Sequence, residues 1–273
     1  MPWRNTMTSL KTTPLNRLDL QATIKTLGLR SLETGLDDFL AKAHKQRWSP
    51  ELVIEQLATL EIQERERRSL AWRLDASRLG SFKPIADFDW NWPSKIDRPI
   101  IERFISADFV QRAENIVLLA AQGLGKTMIA KNIVSAAVHR GHTALFVEAA
   151  QMLLDLSAQD SSRALERRLK YYTKPKLLCI DELGYLAYDQ TAADLLFQVV
   201  SRRYEKKSII VTTNLAFADW PGVFPGATSV VSLVDRLIHH AEIATIEGDS
   251  YRRREAEQQK SARSLSNKKG TNK

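Results

Sequence analysis

The sequence predicts an α/β fold in which a parallel sheet flanked by helices carries a phosphate-binding loop, preceded by a small all-helical N-terminal domain. Three observations predict it. Residues 115–127 read as strand, glycine-containing loop and helix, an arrangement that places backbone N–H groups around a phosphate chain. Residues 177–182 form an apolar run that ends in two acids, as a buried parallel strand does at a ligand site. Residues 15–79 carry apolar side chains at helical spacing.

The composition is typical of a globular protein. The 273 residues suffice for one good core and a second small domain, and 44% of them are apolar and 26% charged. No segment approaches the roughly eighteen uncharged apolar residues of a membrane span, and residues 1–13 lack the apolar core of a signal peptide. We therefore expect a cytoplasmic protein without membrane association.

Cysteine and histidine usage argues against a structural metal or disulfide framework. The single cysteine, Cys179, lies inside an apolar run and is expected to be a small buried hydrophobe. The five histidines are dispersed apart from His239 and His240. On the helix predicted for residues 230–240 these two side chains would point about 100° apart, so the sequence does not favour a histidine metal site.

The net charge of +8 is concentrated at the C-terminus. Residues 252–273 contain eight Lys or Arg and two Glu, a net +6, so the rest of the chain holds only +2. A basic tail of this kind either contacts nucleic acid or is a solvated end. Its first three cations, Arg252, Arg253 and Arg254, are candidate DNA contacts.

The chain begins with a predicted disordered segment, residues 1–14, followed by the helical domain, residues 15–79. Apolar spacing predicts two short helices broken near Gly28. A long helix should begin at Ser49, with Ser as N-cap and Pro50 in the first turn, and run to about residue 79. Its i,i+4 pairs are Glu61–Arg65 and Glu64–Arg68.

Residues 80–100 form a predicted linker rich in Gly, Pro, Asp and aromatic residues. The alternating Trp90 and Trp92 could stack nucleobases, or they could anchor the linker to the next domain. That next domain is predicted over residues 101–250, and a basic tail over residues 251–273 follows it.

The phosphate loop follows the relaxed pattern of an ATP-binding site. Lys126 would reach the β- and γ-phosphates and the Thr127 hydroxyl would ligate Mg²⁺. Ala120 stands where the usual pattern has its first glycine; its methyl group is tolerable if φ is negative there but hinders the bend if φ is positive. The predicted ATP-contacting residues are Ala120, Gln122, Gly123, Leu124, Gly125, Lys126, Thr127 and Asp181.

The acids at the end of the run 177–182 complete this chemistry. Asp181 would hold Mg²⁺ through its water shell, and Glu182 would position or deprotonate the attacking water. Their distance along the chain from the loop fits an extra helix, strand and helix inserted between the two motif strands. This order is typical of the P-loop NTPases that use a catalytic glutamate, and it argues against a GTPase or a small-molecule kinase.

The intervening and following elements supply further candidates. A strand at 143–147 is followed by helices at 149–156 and about 162–172, and in the second helix Arg163, Arg167 and Lys170 fall on one face. Such a face is either solvated or a nucleic-acid contact. After a helix around 193–204, the strand 208–213 ends at Asn214, which can sense a γ-phosphate. The helix 230–240 carries Arg236, and a last strand is expected at 244–247.

Together these residues resemble the IstB family of AAA+ ATPases, the transposition helper proteins, which are close to the DnaC-type helicase loaders. The most specific strings are Asp-Glu-Leu-Gly-Tyr-Leu and Asp-Arg-Leu-Ile-His-His, and the likeness extends over about residues 15–255. The matching segments are residues 123–127, 178–186, 201–204, 213–215, 235–240 and 250–252.

The resemblance implies an AAA+ core with the following roles. Asn214 is the implied sensor of the γ-phosphate, Arg236 an arginine finger given to a neighbouring subunit, and Arg252 a candidate second sensor. The basic helix lies where initiator-type AAA+ proteins carry a DNA-touching insertion. The implied protein is a DNA-dependent homo-oligomer with active sites at subunit interfaces, and its partner is a DDE-type transposase encoded beside it. A helicase-loading adaptor and a nucleotide-binding scaffold with little hydrolysis are the alternatives.

Overall fold

The computed structural model describes residues 17–185, 188–224, 229–251 and 253–254. The chain divides into two compact units, residues 1–69 and 70–273, and the division falls within a long helix. The expected disordered segment, residues 1–14, and the tail from residue 255 onward lie outside the described residues. The domain boundaries expected from the sequence stay predictions. No helix in the described ranges is long and apolar enough to cross a membrane.

The N-terminal unit contains the helices that the apolar spacing predicts. They are α1 (Arg17–Thr26), α2 (Leu36–Lys45) and the greater part of α3 (Pro50–Ala76). The predicted break is present at Gly28, whose φ of +68° is a left-handed backbone conformation that glycine adopts readily. The Ser49 hydroxyl accepts a hydrogen bond from the N–H of Leu52 at 3.2 Å, so Ser49 caps α3 as expected. A small core of Ile24, Leu32, Leu36 and Phe39 holds these elements together.

The predicted ion pairs along α3 are confirmed. Arg65 lies 2.7 Å from the carboxylate of Glu61, and Arg68 lies 3.3 Å from that of Glu64. The hydrogen bond from Arg65 contributes most to holding the pKa of the Glu61 carboxyl below its usual value. The helix ends at Ala76, a few residues before the predicted end.

The C-terminal unit is a parallel five-stranded sheet in the order β2-β3-β4-β1-β5, and it confirms the predicted fold class. Every strand pair in this sheet is parallel, so all the carboxyl ends lie at one edge. The strands are β1 (Asn115–Ala120), β2 (Ala144–Glu148), β3 (Leu177–Leu183), β4 (Ser208–Thr213) and β5 (Ala241–Ile246). The helices are α4 (Arg98–Ile105), α5 (Lys126–His139), α6 (Ala149–Ser157), α7 (Ser162–Thr173), α8 (Gln190–Arg203), α9 (Trp220–Val223) and α10 (Ser229–Ile238).

Two apolar cores, one on each face, explain why the central strands are apolar throughout. Successive side chains of a strand point to opposite faces. Accordingly Leu178 and Ile180 of β3 join a core with α6, α7, α8 and α10, whereas Leu177 and Cys179 join a core with α4 and α5. Cys179 is fully buried, as predicted, and this burial is the main reason that the pKa of its thiol lies well above the usual value.

The linker is anchored to the sheet unit. The ring of Trp90 lies 4.8 Å from that of Phe88, and both pack against the core that contains α5. The side chain of Asn132 on α5 also accepts a hydrogen bond from the N–H of Ile85 at 2.9 Å and donates one to the carbonyl of Lys83 at 3.0 Å. These contacts anchor the linker, including Trp90, to the sheet unit.

Two segments differ from the predicted boundaries. The helix expected over 230–240 ends at Ile238, so His239 and His240 lie in a turn rather than on a helix. The last strand begins at Ala241 rather than at residue 244, because its backbone pairs with β1 from Asn115 onward. Tertiary pairing with β1 therefore determines where the helix gives way to the strand.

One charged side chain of α8 is unexpectedly part of the interior. Arg203 is fully buried, and no carboxylate of the described residues hydrogen-bonds to it. Its guanidinium instead joins the end of α7 to the start of β4 through backbone carbonyls. The acceptors are the carbonyl oxygens of Tyr172, Pro175, Lys176 and Ser208.

Candidate nucleotide-binding site

The phosphate loop connects β1 to α5 and takes its shape from two glycines. Gly123 and Gly125 have φ of +78° and +86°, a region that side chains with a Cβ rarely adopt. Ala120 is not among the residues with positive φ; it is the last residue of β1, pairs with Ile246 and is almost fully buried. The methyl group at the position of the usual first glycine is thus accommodated inside the sheet.

The same two glycines are also points of close approach. A Cβ at Gly125 would lie 2.6 Å from the ring of Phe88, and a Cβ at Gly123 would lie 2.1 Å from the hydroxyl of Ser250. The backbone N–H of Tyr251 donates to the carbonyl of Gly123 at 3.0 Å. The linker and the segment after β5 therefore both pack directly on the phosphate loop.

Three side chains of the two motifs meet at the carboxyl edge of the sheet. Lys126 donates hydrogen bonds to the carbonyl oxygens of Ala120 at 2.6 Å and Ala121 at 2.8 Å. The Thr127 hydroxyl donates to the carboxylate of Asp181 at 2.9 Å. Asp181 is 2% exposed and also accepts from the hydroxyl of Thr212. A hydroxyl next to a buried carboxylate is a donor set that suits Mg²⁺, which prefers hard oxygen ligands.

Glu182 is directed into the site by an irregularity in β3. The register between β3 and β4 shifts between Ile180 and Leu183, and Glu182 has a φ of +58°. Its N–H donates to the Thr212 hydroxyl at 2.9 Å, which holds this uncommon backbone conformation. As a result, Asp181 is buried while the side chain of its neighbour Glu182 is exposed and lines a cavity.

The cavity has a volume of about 530 Å³, which falls within the range of small-molecule sites. It is lined by Gln122 to Met128 of the loop and helix, by Glu182 and by Asn214 at the end of β4. The structure thus brings the predicted loop, acidic and sensor residues together. The rest of the lining includes polar residues such as Lys83, Asp87 and Lys131, and a group of aromatic residues, here called the aromatic wall: Phe82, Phe88, Trp92, Tyr185 and Tyr251. Trp92 is one of the two tryptophans for which the sequence left nucleobase stacking open; the other four were not predicted to line the site.

The aromatic wall is tied together by polar contacts. The Trp92 indole N–H donates to the carbonyl of Asp249 at 2.8 Å, and the Arg254 guanidinium lies 4.2 Å from the Trp92 ring centroid. Arg254 also pairs with Asp89 at 3.2 Å. The sequence signal for this wall was present in the aromatic-rich linker. The return of the segment after β5 to the site was suggested only by the family resemblance, through Arg252 as a candidate second sensor.

Arg236 is not among the residues that line the cavity. It lies in the last turn of α10, where its guanidinium hydrogen-bonds to the Ser201 hydroxyl and lies 4.7 Å from the Phe197 ring centroid. Because α10 returns the chain from the carboxyl end of β4 to the amino end of β5, its last turn lies at the amino edge of the sheet. The phosphate loop lies at the opposite, carboxyl edge.

The cations predicted to contact DNA fall into two groups. Arg163, Arg167 and Lys170, here called the α7 stripe, are exposed, and no hydrogen bond or ion pair of their side chains is observed within the described part of the chain. Their neighbour Arg168 differs, since it pairs with Asp155. In the second group, Arg254 is engaged by Asp89 and Trp92, the Arg253 N–H bonds to Ser250, and Arg252 lies outside the described residues.

Comparison with known proteins agrees with this geometry. Residues 22–259 match the family described as IstB-like ATP-binding proteins. The chain is 37% identical to a protein described as the ATP-binding protein of insertion sequence IS5376 from Geobacillus stearothermophilus, with 73% of this chain and 79% of that one covered. It is 34% identical to the corresponding protein of insertion sequence IS21 from Pseudomonas aeruginosa, with 82% and 79% covered.

Among solved structures, the chain is similar to that of DnaI, with a TM-score of 0.50 and 18% sequence identity. The likeness covers 64% of this chain and 92% of DnaI, and at this identity it shows the fold alone. The P-loop architecture, the match over most of the length and the insertion-sequence relatives lead to one conclusion. The chain has an AAA+ fold and belongs to the IstB-like family of insertion-sequence ATP-binding proteins.

Proposed function

We propose that the chain binds ATP with Mg²⁺ at the phosphate loop, hydrolyses it at subunit interfaces, and uses this cycle to assemble on DNA and assist a transposase of the same element. The observation that carries the proposal is that Thr127, Glu182 and Asn214 line one cavity beside the loop, while the buried Asp181 accepts a hydrogen bond from Thr127. Nucleotide binding alone does not require an acid turned out of a strand at a strained backbone position. An attacking water does require a nearby base.

Each group of site residues has a separate role in binding or hydrolysis. The loop N–H groups and Lys126 bind the phosphate chain at the N-terminus of α5, where the helix dipole also favours an anion. Thr127 and Asp181 would hold Mg²⁺, which would neutralise part of the negative charge on the β- and γ-phosphate oxygens. Glu182 orients and deprotonates water, and Asn214 hydrogen-bonds to the γ-phosphate.

The position of Arg236 supports catalysis in trans. Its guanidinium lies at the amino edge of the sheet, so it cannot reach the phosphate loop of its own chain. A head-to-tail assembly would present this edge of one subunit to the cavity of the next. An arginine supplied by a neighbour stabilises the charge that develops as the γ-phosphate leaves. This makes hydrolysis dependent on assembly.

The α7 stripe supports contact with DNA. Three exposed cations without partners in the described part of the chain can neutralise phosphates without reading bases. Because the stripe belongs to the ATPase unit, its arrangement in an assembly would follow the nucleotide state. The relatives are named as insertion-sequence proteins, which supports a role in transposition beside a transposase. The likeness to DnaI concerns the fold, so it adds no second function.

The experiment that tests hydrolysis compares two neighbouring acids. Glu182→Gln should retain ATP binding and lose on the order of 10²-fold or more in steady-state ATPase activity, because the base is removed. Glu148→Gln is the matched control: Glu148 ends β2 beside Asp181, is exposed, and does not line the cavity. Equal ATPase activity in the two variants would refute the role of Glu182, and absence of hydrolysis by wild type under all DNA conditions would favour the scaffold.

A further inference from the structure

Two turns at the amino edge of the sheet bring together side chains that are distant in sequence. Glu205 lies in the turn between α8 and β4, and His239 and His240 lie in the turn between α10 and β5. Strands β4 and β5 both pair with β1, so their preceding turns are close in space. Glu205 has a φ of +56°, an uncommon conformation for a residue with a side chain.

The ligand atoms of these three residues have a spacing suited to a metal ion. His240 Nε2 lies 3.4 Å and His239 Nδ1 3.9 Å from the same carboxylate oxygen of Glu205. All three ligand atoms lie within 4.8 Å of one another. Ligands about 2.0–2.1 Å from a tetrahedral zinc ion are about 3.3 Å apart, so small side-chain rotations suffice to close the site.

The geometry points to a transition-metal site formed by Glu205, His239 and His240, with Zn²⁺ as the fitting ion and water as its fourth ligand. Two imidazoles and one carboxylate suit Zn²⁺, whereas Mg²⁺ prefers oxygen ligands alone. About half of each side chain is exposed, so an ion can enter from solvent. The site lies at the opposite edge of the sheet from the phosphate loop, and it does not depend on the proposed function.

Tyr204 can hydrogen-bond to the proposed ligands and so hold them in position. Its hydroxyl lies 2.8 Å from His239 Nδ1, and its ring stacks on that of His239 at 5.9 Å. When His239 binds the ion through Nδ1, this hydroxyl is free to donate to the carboxylate of Glu205. Hydrogen bonds of this kind to a metal-binding side chain fix its orientation.

The alternative is a group of side chains linked only by hydrogen bonds and charge. The two possibilities differ in how the protein binds an added metal ion. Histidines that are only hydrogen-bonded, and whose lone pairs do not converge on one point, bind metal ions weakly and without a defined number of ions per chain. Few other side chains in the protein would bind an added transition-metal ion. The other histidines are His44, His139 and His142, the sole cysteine is fully buried, and no second group of three potential ligands is found within the described ranges.

The test uses untagged full-length protein in excess Mg²⁺ and without nucleotide. Titration with Co²⁺ should produce the visible absorption bands of a four-coordinate site with one ion per chain, and Zn²⁺ should displace the Co²⁺. Calorimetric titration with Zn²⁺ should give one site, weakened more than about tenfold in the double variant His239→Ala/His240→Ala and in Glu205→Gln. Tyr204→Phe should weaken binding by about 10-fold, because it removes a hydroxyl that hydrogen-bonds to and orients a metal ligand.

The matched control is His139→Ala, which removes an exposed histidine that hydrogen-bonds only within its own helix. It should bind Zn²⁺ as wild type does, and circular dichroism should show that all variants melt at temperatures near that of wild type. Absence of the Co²⁺ bands in wild type would overturn the proposal. So would Zn²⁺ binding that is unchanged in the double histidine variant or in Glu205→Gln.

Discussion

Two changes of a single methyl group, one at the end of β1 and one in the phosphate loop, should differ in their effect on ATP affinity. Ala120→Gly restores the usual first glycine, but φ at this position is not positive and the residue lies inside β1. It should therefore leave ATP affinity unchanged. Gly125→Ala adds a methyl group where φ is +86° and where a Cβ would lie 2.6 Å from the Phe88 ring. It should weaken ATP binding.

The magnitudes follow from the two environments. Glycine within a strand costs about 0.5–1 kcal/mol relative to alanine, and loss of the buried Ala120 methyl adds about 0.8 kcal/mol. Ala120→Gly should thus lower the melting temperature by about 3–6 °C. For Gly125→Ala, the left-handed backbone alone costs about 1–2 kcal/mol, and Phe88 must also move. If the loop avoids this strain by leaving its phosphate-binding conformation, ATP affinity falls by about tenfold or more.

Titration with a fluorescent ATP analogue, together with thermal unfolding, measures both effects. Lys126→Ala serves as the reference for lost binding, because it removes the cation that faces the phosphates. The reasoning is refuted if Ala120→Gly tightens ATP binding tenfold, since Ala120 would then be the defect that the sequence pattern suggests. Unchanged affinity in Gly125→Ala would equally refute it.

The remaining predictions concern DNA binding and stability. Replacing all three residues of the α7 stripe by Ala should abolish the ATP-dependent part of DNA binding in filter assays across a salt series. Replacing the exposed Lys25, Lys45 and Lys206 by Ala should leave that ATP-dependent binding intact. If the stripe variant still binds DNA in an ATP-dependent way, the α7 stripe is only a solvated helix face. Arg203→Met should destabilise the fold by about 3 kcal/mol or more in urea unfolding, because four backbone carbonyls, all buried or partly buried, lose their donor. The exposed Arg202→Met should cost under about 1 kcal/mol, and similar losses in both variants would contradict the role of Arg203.

Local patterns in the sequence predicted much of the fold and the centre of the site. The helix at 162–172 and the strand at 208–213 were placed almost to the residue, because their apolar spacing and end signals are local. The loop lysine and the acid pair were recognisable for the same reason. Their distance along the chain indicated which strands lie between them.

Features that depend on contacts between distant elements were not predictable. The outward turn of Glu182 results from a register shift against β4 and a hydrogen bond to Thr212. The aromatic wall requires the segment after β5 to return to the linker, where Trp92 meets Asp249. The meeting of Glu205 with His239 depends on where α10 ends, which pairing with β1 determines. None of these has a periodic signal.

Catalysis shared between subunits is tested most directly by mixing two inactive variants. Glu182→Gln protein keeps Arg236, and Arg236→Ala protein keeps Glu182, while each alone should lose on the order of 10²–10³-fold in ATPase activity. In an equal mixture about a quarter of head-to-tail interfaces combine an intact Glu182 with an intact Arg236, so about a quarter of wild-type activity should return. If differently tagged copies co-purify in mixed assemblies and no activity returns at any ratio, Arg236 does not act in trans.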